Sequence, residues 1–410
     1  MVHGVALLVL ALAAPAGSES VAVVRINTSK LLFRTSPRYK CWNIDGSPNR
    51  GFGQRNLSNP NLLQLAKGLP AGYLRFGGSG NDGLWYGDGI GPGTSCVDGA
   101  VRHFDCLNAT MTDGLLALAD AASARLVFGL SISNVGCPRD ANYRTCLQQP
   151  GRQWGNVSSW NSTNAEAMVR YLAARGQPFA YELGNEENAH WPVRGLSPEQ
   201  EAQSFAKLSQ IIKQVYPDAT TRPKLIGPDA DYQDSSAAQA LLYKRWAVEF
   251  LGNVSERKVP LYAATLHEYI DVGWNGSSWT SLDPSVLDKT AVCADDFRAT
   301  VRNTAERVDL PMPQLWAGEI GKQLPQLQLV RTRWLAVVVL VRTMHVIDAW
   351  LVGSAGPHNG GSPPCDHSSM RWANFANSFW YMDAMATKAA HGFSVFCRQD
   401  FIGADYGKYC

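Results

Sequence analysis

The chain has 410 residues, a net charge of +2, 45% hydrophobic and 18% charged residues. That is an ordinary balance for a soluble globular protein, long enough to bury one large core or two smaller ones. It offers no basic stripe, which argues against nucleic acid as a partner.

In chain order, the first feature is an apolar run from Val5 to Ala14, followed by the small residues Ala14, Pro15 and Ala16. This reads as a secretory signal over residues 1–16, with His3 its only basic residue before the apolar run. The run is too short to span a bilayer. Passage through the secretory route predicts disulfides, and all nine cysteines follow the signal. Cys96 with Cys106 and Cys137 with Cys146 are near enough in sequence to staple loops, the connectivity staying open, and no spacing resembles a zinc site. Seven N-x-S/T sequons, at Asn27, Asn56, Asn108, Asn156, Asn161, Asn253 and Asn275, mark expected surface loops. The expected location is secreted, extracellular or vacuolar-lysosomal.

Eight runs read as strands: "KCWNID" from Lys40, "AGYLRFGG" from Ala71, "RLVFGLSI" from Arg125, "PFAYELGN" from Pro178, "PKLIGPD" from Pro223, "LYAATLHEY" from Leu261, "PQLWAGE" from Pro313 and "GFSVFCRQ" from Gly392. Segments with apolar residues at helical spacing lie between them, such as those starting at Asn61, Thr112, Thr163 and Glu201. The alternation predicts a (β/α)8 TIM barrel, whose reactive residues gather where strands end. A doubly wound open sheet is the alternative, but no Gly-rich phosphate loop follows the first strand. Arg75, Asn185, Glu186, His267, Glu319 and Gln399 all fall at or near strand ends, which favours the barrel.

Glu186 closes the fourth strand and Glu319 the seventh. Two carboxylates facing across a barrel mouth suit glycoside cleavage, one protonating the leaving oxygen and one attacking the anomeric carbon. Retention needs the carboxyl groups about 5–5.5 Å apart. Asn185 is placed to hydrogen-bond a sugar 2-hydroxyl. Glu182, inside the fourth strand, is placed to pair with Arg75, itself expected to be structural. Asp229 reads as a loop cap and Glu187 as an ordinary solvated carboxylate. No metal or organic cofactor is implied.

The stretches "YLRFGGSGND" from Tyr73, "WNSTNAEA" from Trp160, "YELGNE" from Tyr181, "LIGPD" from Leu225, "WAGEIG" from Trp316 and "FCRQDFIGADYG" from Phe396 follow one another in an order that resembles the heparanase-like β-glucuronidases, glycoside hydrolase family 79, most of all the plant-type branch. The resemblance implies Glu186 as acid/base and Glu319 as nucleophile. It also implies sugar contacts from Asp45, Ser79, Asn185, His267, Tyr269, Gln399 and Tyr406, and a backbone turn at Gly403 that grips the glucuronate carboxylate. His267 and Tyr269, two apart on one strand, share a face from which the tyrosine hydroxyl can hold the nucleophile ionised.

Two departures stand out. Residues 322–352 read as an insertion after the nucleophile, and the chain stops at Cys410, where relatives continue into the last barrel helix and a C-terminal β-sandwich. Residues 17–38 match the strand segment that partners that sandwich, leaving 39–410 as the catalytic barrel. Both departures begin at Gly-Lys, Gly321-Lys322 and Gly407-Lys408, which retained introns would produce. The expected activity is hydrolysis of β-glucuronide linkages in a glucuronic-acid-containing polysaccharide or proteoglycan glycan. The expected setting has no integral membrane span and is compatible with peripheral membrane or cell-wall association. Gly80 stands where animal enzymes of the family carry a lysine, which points to cell-wall or proteoglycan glucuronides before heparan sulfate. The alternatives are an inert carbohydrate-binding relative and another barrel glycosidase, such as an arabinofuranosidase or xylosidase.

Overall fold

A computed structural model describes residues 33–46, 56–98, 101–102, 106–132, 137–138, 160–190, 196–232, 237–271, 283–323 and 376–399. Contacts separate Met1–Arg34 from Thr35–Cys410, and the architecture here is that of the second unit. Its parallel strands are β1 (Lys40–Asp45), β2 (Tyr73–Gly77), β3 (Arg125–Leu130), β4 (Ala180–Leu183), β5 (Lys224–Asp231), β6 (Leu261–Asp271), β7 (Gln314–Gln323) and β8 (Val395–Arg398). They close into a barrel in sequence order, with β8 pairing back onto β1. The helices are α1 (Pro60–Gly68), α2 (Ala109–Ala121), α3 (Thr163–Ala173), the single turn α4 (Glu187–His190), α5 (Pro198–Val215), α6 (Ala237–Glu256), α7 (Pro284–Arg307) and α8 (Ala376–Ala390). All eight expected strands are therefore present, in the expected (β/α)8 arrangement.

Local chemistry explains the helix starts. Asn59, Asn108, Ser197 and Asp283 each accept a backbone N–H of the first turn, and Pro60, Pro198 and Pro284 fill positions whose own N–H would go unused. At α5 the Ser197 and Gln200 side chains reciprocate in a capping box. Inside the barrel, Cys41, Tyr73, Val127, Ala180, Ile226, Ala263, Trp316, Val395 and Cys397 form a separate apolar floor. The larger core lies between strands and helices.

Pairing of β6 with β7 continues to Asp271 and Gln323, so β7 includes the first two residues of the expected insertion. The rest of that segment, the expected signal and residues 17–32 lie outside the described residues. Beyond β2 lie short strands: Trp85–Tyr86 pairs with Cys106–Leu107, and Val97–Asp98 with Val101–Arg102. The Cys96–Cys106 staple is present, while Cys146 lies outside the described residues. A second bridge joins Cys41 to Cys397 across 356 positions, because the closing register sets these residues of β1 and β8 side by side. Asn253 is not on a loop but within α6, its amide donating to the Glu249 carbonyl. No helix among the described residues is long and apolar enough to cross a membrane.

The Cys41–Cys397 bridge encloses far more chain than Cys96–Cys106, so its loss frees more unfolded-state entropy. Cys41→Ser is expected to lower unfolding free energy by about 2–5 kcal/mol, and Cys96→Ser by less. Denaturant titration of both variants measures the difference.

Candidate active site

Alternation along the strands places a charged layer directly above the apolar floor. Tyr73 lies in the floor, so Arg75 points inward one layer higher, and Glu182 does the same above Ala180. Arg75, 1% exposed, donates from Nε to Glu182 Oε2 at 2.7 Å, from Nη1 to Glu319 Oε2 at 3.0 Å and from Nη2 to Asp229 Oδ2 at 3.0 Å. One planar cation thus links β2 to β4, β5 and β7. Burial works against its charge, but Glu182, Asp229 and Glu319 together outweigh that and keep Arg75 firmly protonated. Burial also pushes the Glu182 carboxyl well above the usual range, despite Arg75. Asp229 goes the other way: burial raises it, but Arg75 and His267 pull it below the usual carboxylate range. Of the two, Glu182 is the carboxyl that keeps a proton more readily and Asp229 the one that loses it. Asp229 is therefore part of this charged layer and not a loop cap.

Glu319 owes its direction to an irregular register. Trp316 belongs to the barrel floor, so strict alternation would turn Gly318 inward and Glu319 outward. Between Leu266/His267 of β6 and Ala317/Glu319 of β7 the register shifts by one residue. Such a bulge reverses the side-chain alternation beyond it and turns Glu319 into the mouth. A Cβ at Gly318 would lie 3.3 Å from Asp229 Oδ1 and 3.4 Å from His267 Nε2. The position before Glu319 thus has little room for a side chain beside Asp229 and His267. The Tyr269 hydroxyl donates to Glu319 Oε1. Its ring crosses β7 at Gly321, where a Cβ would sit 2.3 Å from Tyr269 Cε1.

Glu186 follows Gly184 and Asn185 at the top of β4 with a left-handed φ of 55°. A non-glycine residue there carries strain of order 1–3 kcal/mol. Its N–H donates to the Asp229 carbonyl at 3.0 Å, and its own carbonyl accepts Ala189 N–H at 2.9 Å. Its Oε1 lies 2.9 Å from Nδ1 of fully buried His267, whose Nε2 is 3.5 Å from Asp229 Oδ1. Burial disfavours the imidazolium, but Glu319, Asp229 and Glu186 reverse that and raise its pKa to about 10.

Of the other expected sugar contacts, Asp45 ends β1, where a Cβ on Gly78 would lie 3.0 Å from its Oδ2. Exposed Ser79 accepts Asn185 Nδ2 at 3.3 Å, and Asn185 Oδ1 accepts Arg75 at 3.4 Å. Gln399, 2% exposed, follows β8 with its side-chain oxygen unpartnered among the described residues. Gly403 and Tyr406 lie outside the described residues. Glu187 contradicts the expectation of a solvated carboxylate. It is 3% exposed and its Oε2 accepts Leu196 N–H at 2.9 Å. No sequence pattern marked that burial. Glu201 was also missed, although its spacing from Phe205, Leu208 and Ile212 puts it on the apolar face of α5.

Glu186, His267 and Glu319 each offer an atom within 4.8 Å of the others. A protonated imidazole has no lone pair for a metal, so the trio suits proton transfer and nucleophilic attack better than metal binding. A parallel eight-stranded barrel with two carboxylates converging at its mouth defines the class, a (β/α)8 barrel carrying a glycosidase-type site. The sequence profile of glycosyl hydrolase family 79, N-terminal domain, matches residues 37–325, and the chain belongs to this family.

Among its relatives are baicalin-beta-D-glucuronidase of Scutellaria baicalensis, 24% identical over 95% of this chain and 67% of that one, and heparanase-like protein 2 of Arabidopsis thaliana, 25% identical over 90% and 58%. Heparanase of Mus musculus is 23% identical over 96% of this chain and 68% of its own length. The chain thus spans between about half and two thirds of these relatives. A 4-O-alpha-L-rhamnosyl-beta-D-glucuronidase from Fusarium oxysporum superposes with a TM-score of 0.49 at 13% identity, covering 92% of this chain and 66% of that one.

Arg75→Met is expected to lower unfolding free energy by about 3–5 kcal/mol, since it strands buried carboxylates without their cation. Denaturant unfolding at neutral pH measures it. His267, raised from 6.5 to about 10, contributes stability that is complete below pH 6.5 and lost as pH rises through 10. His267→Gln should flatten the melting temperature across that window, and an unchanged slope would refute the assignment. Tyr269→Phe removes a hydrogen bond to a charged group, worth about 1.5–3 kcal/mol. Steady-state kinetics should show kcat lower by roughly 10- to 100-fold.

Proposed function

We propose that this chain hydrolyses β-glucuronide linkages of glycans with retention of configuration. Glu319 attacks the anomeric carbon while Glu186 protonates the leaving oxygen. Glu186 then takes a proton from the water that releases the glycosyl-enzyme intermediate. The observation that carries this reading is that one carboxylate oxygen of Glu186 lies within 4.8 Å of one of Glu319, both at the mouth of the barrel. An inverting pair needs roughly 6.5–9.5 Å to admit a water.

Three further groups fit these roles. Arg75 and Tyr269 bond the two oxygens of Glu319 and aim them, matching a nucleophile that must stay ionised and oriented. His267, held protonated, donates to Glu186 Oε1, leaving the other oxygen of Glu186 for the leaving group. The glucuronide assignment draws on family membership and on relatives named as glucuronidases or heparanases. A secreted or vacuolar-lysosomal setting draws on the apolar leader, the sequons and the disulfides.

An aryl β-glucuronide tests the reading. Glu319→Gln should reduce turnover by about three orders of magnitude or more, and equal activity would remove Glu319 from the mechanism. Proton NMR of the fresh product should show the β-anomer first; the α-anomer would overturn retention.

A further inference from the structure

We propose that Glu187 is a positioning residue: as a neutral carboxylic acid it fixes the turn that aims Glu186 at Glu319, and its ionisation releases that turn. For its rate measurements the proposal rests on the glucuronidase reading above.

The turn is short and strained. Gly184 has a φ of 73° and Glu186 one of 55°, and only Gly184 adopts such a value freely. The side chain of Glu187 lies between Gly184 and the segment that starts α5. Backward, its Cγ and Oε1 lie 3.4 and 3.7 Å from where a Cβ on Gly184 would stand. Forward, its Oε2 accepts Leu196 N–H at 2.9 Å, just before the capping box of α5. The Leu196 carbonyl in turn accepts Trp246 Nε1 at 3.2 Å, so the anchor reaches the interior of α6. One buried side chain thus ties the acid/base turn to two helices.

Its surroundings suit a neutral group. Asp82, just past β2, and Glu201, on α5, are also buried, and both carboxylate oxygens of Glu201 lack a hydrogen-bond partner. The charges acting on Asp82 are Glu187, Glu186, Glu201 and Asp229; those acting on Glu201 are Glu187 and Asp229. Every one is another carboxylate. A further negative charge here meets desolvation, with Leu196 N–H as its one opposing bond among the described residues. Burial raises Glu187 from 4.5 to about 7, against the Leu196 N–H, which favours the anion. Burial and the neighbouring carboxylates push Asp82 and Glu201 well above their ordinary values. For Glu187 the folded chain holds its proton more tightly than the unfolded chain. Its stabilisation is therefore complete below pH 4.5 and lost as pH rises through about 7. Ionisation leaves a buried charge under the strained turn with only the Leu196 N–H to offset its lost hydration, and reaching water moves Glu187, and Glu186 with it.

The full chain, Glu187→Gln and Glu187→Ala are compared between pH 4.5 and 8.5, by aryl β-glucuronide kinetics and by thermal unfolding. Glutamine keeps the acceptor for Leu196 N–H but cannot ionise. Its alkaline limb of kcat should lie about one pH unit above that of the unmodified chain, and its melting temperature should fall less between pH 4.5 and 7. Alanine loses the anchor, so kcat should drop about tenfold or more at every pH with KM changed less than about threefold. Superimposed pH profiles for the unmodified chain and Glu187→Gln, or an unchanged kcat in Glu187→Ala, would overturn the proposal. If the unmodified chain hydrolyses no glucuronide, that counts against the glucuronidase reading, and the unfolding arm alone decides for Glu187. An equal pH slope in both proteins then refutes it.

Discussion

The site depends on the buried guanidinium of Arg75. Arg75 sits above the apolar floor of the barrel and bonds Glu182, Asp229 and Glu319, carboxylates supplied by three other strands. Each would be untenable as an isolated anion at that depth. Lysine could not replace it, because a point charge cannot serve three directions in one plane. With Arg75 in place, one carboxyl can keep its proton and another lose it, and Glu319 is held by one oxygen while Tyr269 takes the other.

Around that hub the backbone departs from regularity where function needs it. The shift at Gly318 turns Glu319 inward, and a register shift in β5 between Gly227 and Ala230 accompanies the left-handed Asp229. Asp229 then holds the turn at Glu186 through its carbonyl and His267 through its carboxylate. These features are linked: Glu186 tolerates its strained φ because Asp229 grips its N–H, and Asp229 is placed by Arg75. Strain at one residue is offset by bonds from several strands, as expected where geometry must be kept within tenths of an ångström.

Much of this was legible in advance. Apolar runs alternating with helical patterns marked every barrel strand, and the polar residues at their ends marked the mouth. The Arg75–Glu182 pair and the shared face of His267 and Tyr269 follow from alternation alone. Asp229 was misread because a residue after Gly-Pro looks like a turn until the neighbouring strand is in place. Glu187 was misread because its burial comes from a segment beginning at Leu196 and from Asp82, more than a hundred residues earlier in the chain. The Cys41–Cys397 bridge was invisible for the same reason, since only closure of the barrel brings β1 beside β8.

By itself, then, the sequence determined the alternation of strands and helices, the helix caps and which carboxylates stand at strand ends. Those are properties of short windows, set by side-chain periodicity and local hydrogen bonding. The tertiary structure alone decided which carboxyl is buried, which keeps its proton and which way Glu319 points. Protonation depends on desolvation and on charges from distant strands, and direction depends on a bulge that exists only once two strands are paired.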